Sequence, residues 1–520
     1  MQKLLIFFGL FLISLGLNSA GAETIVDSEG RGDYTTIEEA LQFAVEDDTI
    51  FVWDGNYSGH FSIDISNIEL VGNGSSKTII QGNDTEVNNI LIDADNVTIS
   101  DFTITGGDWA IYMTDSVNSQ FLRNNITGND RGIGLFGSGS YNIFEENIII
   151  DNVNNGILLK SSDRSNYTVY SNIIKDNIIS ETNIGISLEG TSNTEVSNNV
   201  IQEFGLYGIL TTLSMNDFIV NNTITNGNYG IFLANSHSLT ITKNSIFSLE
   251  GYGIWSNGGQ LMITDYNESL YFGKHLIDDN EIHSCSAGVR ISGSMNNRIV
   301  NNKIYNHNYY GLEVVGSSDN TTVINNTVSF NSEIGLYIFM SSSIEIASNQ
   351  FSENSYGIFV RSSSGNYIHS NFLLNNNIGI YLNNVSYSNL INMNNISTNI
   401  DYGVYSEIEV NATSNYWGDP SGPYNQLNNP LGLGDNVSDN VIWFVETDSS
   451  DMTISSTSSS FFSDLPIGTL GIFVGVFAVT NYVVSGWVVK ELSKSFKVPV
   501  DKIGKWMKKE QEKSKKQKKE

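Results

Sequence analysis

The sequence predicts an all-β solenoid, specifically a parallel β-helix, on three observations. First, a short phrase recurs: Gly335-Leu336-Tyr337-Ile338-Phe339, Gly357-Ile358-Phe359-Val360-Arg361, Gly379-Ile380-Tyr381-Leu382-Asn383 and Gly403-Val404-Tyr405-Ser406-Glu407. Earlier copies start at Gly132, Gly156, Gly185, Gly208, Gly230, Gly253, Gly288 and Gly311, with Ala110-Ile111-Tyr112-Met113 as an opening variant. Successive starts lie 22 to 24 residues apart, except for 29 after Gly156 and 35 after Gly253. A period in this range means stacked turns. Second, apolar residues alternate within each phrase, as in Leu336 and Ile338, which marks a strand. Third, a polar motif falls between phrases: Asn124-Asn125, Asn198-Asn199, Asn301-Asn302, Asn325-Asn326 and Asn394-Asn395. Asparagine tolerates left-handed backbone at a bend, and stacked amides hydrogen-bond between turns. A leucine-rich repeat has a similar period, but it wants Leu at fixed steps and often a helix per repeat. Ile, Asn, Ser and Gly dominate here.

The 520 residues include one cysteine, Cys285, so no internal disulfide forms. The formal net charge is −30. Between Glu23 and Leu465 there are 13 basic and 51 acidic residues. That surface repels nucleic acid, so no nucleic-acid partner is expected. The acidic excess serves solubility. With its hard oxygen ligands it also raises calcium as a cofactor, none other being implied.

In chain order, Met1-Gln2-Lys3, an apolar run from Leu4 to Leu17 and Ala20-Gly21-Ala22 read as a signal peptide over 1–22. Thr36 and Glu39 fit a capping box, and Ile37, Leu41, Ala44 and Val45 make a stripe. A short helix is therefore expected to cap the open end of the rod. Thr49-Ile50-Phe51-Val52-Trp53 and Ile68-Glu69-Leu70-Val71-Gly72 are the first strands. The order Asp33-Tyr34-Thr35-Thr36-Ile37-Glu38-Glu39-Ala40, Asp48-Thr49-Ile50-Phe51-Val52, Gly55-Asn56-Tyr57 and Leu70-Val71-Gly72 resembles the opening of pectate-lyase-like right-handed β-helix proteins. The repeats, and the closing segment Asn415-Tyr416-Trp417-Gly418-Asp419-Pro420-Ser421-Gly422-Pro423, are similar to the NosD-type subgroup of carbohydrate-binding and sugar-hydrolysing repeats. The resemblance implies a right-handed coil over about 31–446. It says little about activity, because this fold hosts many functions.

The coil is expected to fill 23–446. One repeat carries about a dozen extra residues from Gly258 to Glu268, an insertion that loops out from one face. Residues 447–464 are a Ser-rich stalk. Leu465–Val489 is uncharged and long enough to span a bilayer. Lys490, Lys494 and Lys497 then hold the basic tail 490–520 in the cytoplasm, with the repeats at the cell surface.

By alternation, one outward side chain per phrase forms a row: Tyr112, Gly134, Leu158, Ser187, Leu210, Phe232, Trp255, Arg290, Glu313, Tyr337, Phe359, Tyr381 and Tyr405. The candidate ligand-binding residues are Tyr337, Phe359, Tyr381, Tyr405, Trp255 and Phe232. Stacked rings suit the C–H faces of sugars, and equally a ladder that only stiffens the sheet. A second row, Tyr207, Tyr229, Tyr252, Tyr310, Tyr356 and Tyr402, reads as packing at the bend. Outward carboxylates are Glu189, Glu313 and Glu407; Glu189 and Glu313 lie too far apart for a glycosidase pair. Asp265, Glu268, Asp278, Asp279 and Glu281, beside Arg290, are the candidate acid/base, catalytic or calcium residues, against the plainer reading of a solvated acidic loop. The catalytic patterns of polygalacturonases, pectin methylesterases and pectate lyases are absent. NosD-type proteins are linked with copper maturation. The soft-ligand candidates are His283, Cys285 and His307, which also read as small polar residues near a bend. Asn-x-Ser/Thr sequons such as Asn56, Asn83 and Asn267 make glycosylation plausible in a secreted chain.

These readings favour a membrane-anchored protein that binds glycans or envelope polysaccharide. The alternatives are a polysaccharide lyase, hydrolase or epimerase, a structural spacer or adhesin, and a NosD-like accessory of metal maturation.

Overall fold

Each repeat folds as one turn of a coil with three short strands. In one turn these are Arg298–Val300, Lys303–Tyr305 and Tyr310–Val315. Each pairs in parallel with its counterpart one turn on: Thr322–Ile324, Thr327–Ser329 and Ile334–Phe339. Three parallel sheets result, here called first, second and third in the order the chain visits them. The first opens at Glu23–Val26 and closes at Val441–Ile442. The computed structural model describes residues 23–163, 167–258 and 272–444. All of them fall within the unit Met1–Val445. The expected signal peptide, stalk, membrane span 465–489 and basic tail lie outside the described residues. Among the described residues no helix is long and apolar enough to cross a membrane.

The core is a column of side chains from the inward position of every strand. In the turn above these are Ile299, Ile304, Leu312 and Val314, all fully buried. The N-terminal cap is the helix Ile37–Phe43, with Thr36 as N-cap accepting from the Glu39 N–H at 3.1 Å. Ile37, Ala40 and Leu41 close the core. Val45, expected in the apolar stripe, instead faces solvent because the helix ends before it.

The corner between first and second sheets explains the Asn motif: amides stack and bond between turns as expected, and the left-handed place is held by asparagine in some turns only, as at Asn198, Asn301 and Asn325. The residue in left-handed backbone varies: Arg123 (φ 54°), Glu146 (56°), Lys243 (57°), Asn301 (57°) and Ser348 (57°). The recurring asparagine is the next residue, and its side chain points inward. Asn302 is typical. Its Nδ2 donates to the Ile277 carbonyl of the turn before and to Asn326 Oδ1 of the turn after, both at 2.9 Å. Its own Oδ1 accepts from the backbone and side chain of Asn280 at 3.0 and 2.9 Å. Thirteen asparagines from Asn124 to Asn415 form this continuous ladder. The buried amides satisfy backbone groups that the bend would otherwise leave unpaired.

A second ladder runs through Asn331, Asn354, Asn376 and Asn399, between the second and third sheets, and ends on Asp435 of the closing module. In the middle of the rod its position passes to Phe204, Gly227, Leu249 and Cys285. There the two strands fuse into bent runs: Val200–Thr212, Thr223–Ala234, Ser245–Asn257 and Glu281–Ser292.

The phrase glycines have a steric reason. A Cβ on Gly335 would lie 2.6 Å from the Gly357 carbonyl oxygen, and one on Gly357 would lie 2.5 Å from that of Gly379. The same clash repeats from Gly132 to Gly379. Gly335→Ala is expected to lower the unfolding free energy by about 2–3 kcal/mol, since backbone of the next turn must move. Urea unfolding of the variant checks this, and a loss within error of zero would disprove the steric account.

The corner between third and first sheets carries two buried titratable groups in ladder positions, Asp217 and His275. Asp217 accepts from Thr191 Oγ1 at 2.7 Å and from the Thr194 N–H at 2.8 Å. Burial pushes its carboxyl up to about 7. An unfolded aspartate titrates near 3.9. The folded state therefore holds this proton more tightly, and its contribution to stability fades as pH rises from about 4 to about 7. Asp217→Asn, which places in this column the residue that Asn142 and Asn297 supply elsewhere, is expected to melt higher than wild type at pH 8. The advantage should vanish at pH 4. Melting curves across that range decide it.

Candidate functional site

The third sheet aligns the outward row in unbroken register. Phe232 pairs with Trp255, Trp255 with Arg290, Arg290 with Glu313 and Glu313 with Tyr337; then follow Phe359, Tyr381 and Tyr405. The aromatic members are half-buried rather than bare, because they pack on one another. Phe232 and Trp255 have ring centres 4.7 Å apart. Phe359 meets the Tyr381 ring edge-on at 4.7 Å, and Tyr381 stacks on Tyr405 at 5.4 Å with planes 5° apart.

The second tyrosine row belongs to this same surface, which corrects its expected place at the bend. Tyr207, Tyr310, Tyr356 and Tyr402 lie within or at the start of third-sheet strands. The Gly and the aliphatic residue that follow are both buried, which breaks strict alternation and turns the tyrosine outward. Tyr207 stacks on Phe232 at 5.0 Å, Tyr252 lies 5.6 Å from Trp255, Tyr310 stacks on Tyr337 at 5.8 Å and Tyr356 lies 5.5 Å from Phe359. A paired aromatic surface thus runs from Tyr207 to Tyr405, interrupted by one ion pair.

That ion pair is Arg290–Glu313. One Arg290 terminal nitrogen donates to Glu313 Oε1 and to the Tyr252 hydroxyl, each at 3.0 Å. The guanidinium lies 5.5 Å from the centre of the Tyr252 ring and 6.0 Å from that of Trp255, a cation–π arrangement. Burial pushes the Glu313 carboxyl up, and the Arg290 charge pulls it back. Burial, and next the Glu313 charge, push the Tyr252 phenol up to about 12. At the far end the Tyr381 hydroxyl donates to Glu407 Oε1, while Glu407 Oε2 accepts from the Asn384 N–H at 2.9 Å. Glu313 and Glu407 stand four turns apart, roughly 19 Å at the spacing of parallel strands, so these two do not form a hydrolytic pair.

The three acidic candidates among the described residues, Asp278, Asp279 and Glu281, are not gathered beside Arg290. Asp278 lies in the first sheet, where its Oδ1 accepts from Asn301 Nδ2 at 2.7 Å. Asp279 occupies the left-handed corner, with φ 53°. Glu281 lies in the second sheet and accepts from the Tyr305 hydroxyl at 2.9 Å. Asp265 and Glu268 lie outside the described residues, as does most of the long insertion. Sequence reasoning placed Arg290 and Glu313 on one face without pairing them. Their adjacency one phrase apart was the available signal.

The overall architecture is that of a right-handed parallel β-helix protein, and family models agree. The model described as right handed beta helix region matches residues 49–210. The model described as periplasmic copper-binding protein (NosD) matches 154–269 and 262–430, together more than half of the chain. The chain belongs to the NosD family. No curated protein matches it significantly. Among solved structures it is similar to the Dettilon tailspike protein, with 16% identity over 64% of this chain and 62% of that one and a TM-score of 0.39. It is also similar to a GH87 alpha-1,3-glucanase from Streptomyces thermodiastaticus strain HF3-3, with 14% identity, 68% and 65% coverage and a TM-score of 0.41. A mannuronic acid specific polysaccharide family 6 lyase from human gut microbiota shows 13% identity, 68% and 84% coverage and a TM-score of 0.42. The chain spans less than two thirds of the tailspike and of the glucanase. At these levels the likenesses carry no argument about the site.

The copper in the family description has no fitting ligand set among the three soft-ligand candidates. His283 faces outward, sandwiched between Phe247 and Tyr305 at 5.1 and 4.9 Å. Cys285 and His307 face the core, and His307 Nδ1 accepts from the Cys285 N–H at 3.3 Å. Burial lowers His307 to about 4 and pushes the Cys285 thiol up to about 12. Among the described residues no group of three His, Cys, Asp or Glu side chains is placed to hold a metal ion. Cys285 is therefore expected to resist an aromatic disulfide reagent in the native chain and to react, one thiol per chain, once urea unfolds it. Rapid native labelling would contradict this placement.

Proposed function

We propose that this β-helix binds polysaccharide along its third sheet. The observation that carries the reading is the double row of half-exposed rings, in register from Tyr207 to Tyr405. Aromatic faces present broad apolar contact to sugar C–H groups, and hydroxyls at the ring edges supply polar contacts. A rigid rod holds them at one fixed spacing, which lowers the ordering cost of binding a repetitive chain. The acidic surface disfavours nucleic acid and points to a glycan of low charge. The proposal places the coil outside the cell, anchored through 465–489, and assigns binding rather than turnover to this face.

A second reading is supported by the ring-to-ring contacts themselves: the ladder stiffens a spacer and binds nothing. The two separate in one experiment. The full-length chain is tested for co-sedimentation with insoluble polysaccharides and for released oligosaccharides, with and without calcium. Retention on at least one glycan, falling about tenfold or more in the Tyr337→Ala, Tyr381→Ala double variant without loss of fold, is the expected result. Lower melting temperature with unchanged retention favours the spacer. Released products would move the assignment to an enzyme.

A further inference from the structure

The most exposed apolar side chains gather at the closing end of the coil. Among the described residues the four most exposed large hydrophobic side chains are Leu431 at 85%, Leu433 at 77%, and Leu427 and Ile400 at 71% each. The three leucines belong to the closing module. Ile400 lies beside it, since Asn399 Nδ2 donates to Asp435 and the Asp401 carbonyl accepts from Asn436 Nδ2, both at 2.7 Å. Tyr424 and Phe444 of the module are exposed as well. The loop that carries the leucines is tied in place by side-chain amides. Buried Asn425 accepts through Oδ1 from the Leu427 and Asn428 N–H groups at 3.0 and 2.8 Å. Asn429 Nδ2 donates to the Ser421 and Pro423 carbonyls at 3.0 and 2.8 Å, and the Leu433 N–H donates to Ser421 Oγ at 2.9 Å. A solenoid cap ordinarily turns a polar face to water. This one holds leucines out on a fixed loop, the mark of an interaction surface.

We propose that the leucine loop of the closing module seats in the surface of the lipid bilayer that anchors the chain. The proposal rests on the anchoring through 465–489 in the reading above, and is independent of what the third sheet binds. Three observations select lipid as the occupant. The loop Asn425–Leu433 carries no charge, in a segment from Glu23 to Leu465 that holds 51 acidic and 13 basic residues. An uncharged loop of leucines beside exposed rings suits the boundary between neutral headgroups and acyl chains. Twenty residues, Val445 to Asp464, separate the closing module from the uncharged run Leu465–Val489, about 70 Å at full extension, so the bilayer is within covalent reach. A second copy of the chain fits less well, because two coils of this net negative charge repel each other.

The test reconstitutes the full-length chain in phosphatidylcholine vesicles. A single added thiol, Leu431→Cys, carries an environment-sensitive fluorophore; Cys285 is buried, and the unsubstituted chain serves as the labelling blank. Lys303→Cys, exposed on the second sheet at mid-coil, is the reference site. Quenchers carried on lipid acyl chains near the headgroups should quench the label at 431 at least about threefold more than the label at 303. Leu427→Asp with Leu433→Asp, added around the label at 431, should return quenching to the value at 303, because carboxylates are costly to place in lipid. Circular dichroism confirms that each variant keeps its β-structure. Equal quenching at 431 and 303, in chain that resists extraction by alkaline carbonate, overturns the proposal and leaves the anchor standing. A label at 431 shielded from water only at high chain density, without lipid quenching, assigns the leucines to a second copy and also overturns it. If carbonate strips the chain from the vesicles, the anchor fails and the proposal with it.

Discussion

The structure depends on one constraint: successive turns of backbone must approach to the separation of hydrogen-bonded strands, about 4.8 Å, at the corners as well as along the sheets. Strands meet it with their own N–H and C=O groups. Corners do so only in part: the Asn301 N–H reaches the Ile324 carbonyl, but the Asn302 N–H and the Ile299 carbonyl have no backbone partner and are met by Asn326. The inward asparagine after each such residue meets the need, with one carbonyl accepting from the turn before and one amide reaching both directions, as at Asn302. The phrase glycine meets it sterically, leaving room for the next turn's carbonyl oxygen where a Cβ would sit.

From this constraint the rest follows. With corners locked, each strand position repeats at constant height and azimuth, so a substitution pattern in sequence becomes a stripe in space. Inward stripes of Ile, Leu and Val make the core. Outward stripes are free of folding duties except for contact with their own neighbours. That freedom is where function accumulates on a solenoid. On the third sheet the stripe is aromatic on both sides of a buried ion pair. Where the second ladder gives way to Phe204, Gly227, Leu249 and Cys285, the strands lengthen and bend. The rod is thus continuous from second to third sheet beside the Phe232–Trp255 cluster.

Much of this was legible residue by residue. The phrase starts correctly aligned Tyr337, Phe359, Tyr381 and Tyr405 on one outward row, because equal spacing in a coil is equal register. The N-cap at Thr36 was legible from local chemistry. Other features were not. Left-handed asparagine was expected and occurs at Asn198, Asn301 and Asn325, but the inward asparagine that follows was not distinguished from it. The phrase glycine recurs visibly, yet its reason lies one turn away in another glycine's carbonyl. Tyr207 and Tyr356 were assigned to the bend because strict alternation does not place them outward. Asp278, Asp279 and Glu281, close together in the chain, fall on two sheets and the corner between them, away from Arg290.

The sequence alone determined the coil, its period, its core and the one outward row that obeys strict alternation, because in a parallel solenoid these follow from repetition and alternation alone. The tertiary structure decided what those residues do to each other across turns: which amide caps which backbone group, which rings overlap, and that Arg290 pairs with Glu313 and Tyr252. Such contacts join residues more than 20 positions apart, as Asn394–Asn415 and Tyr252–Arg290 do, through side-chain rotamers and burial, which a one-dimensional pattern does not encode.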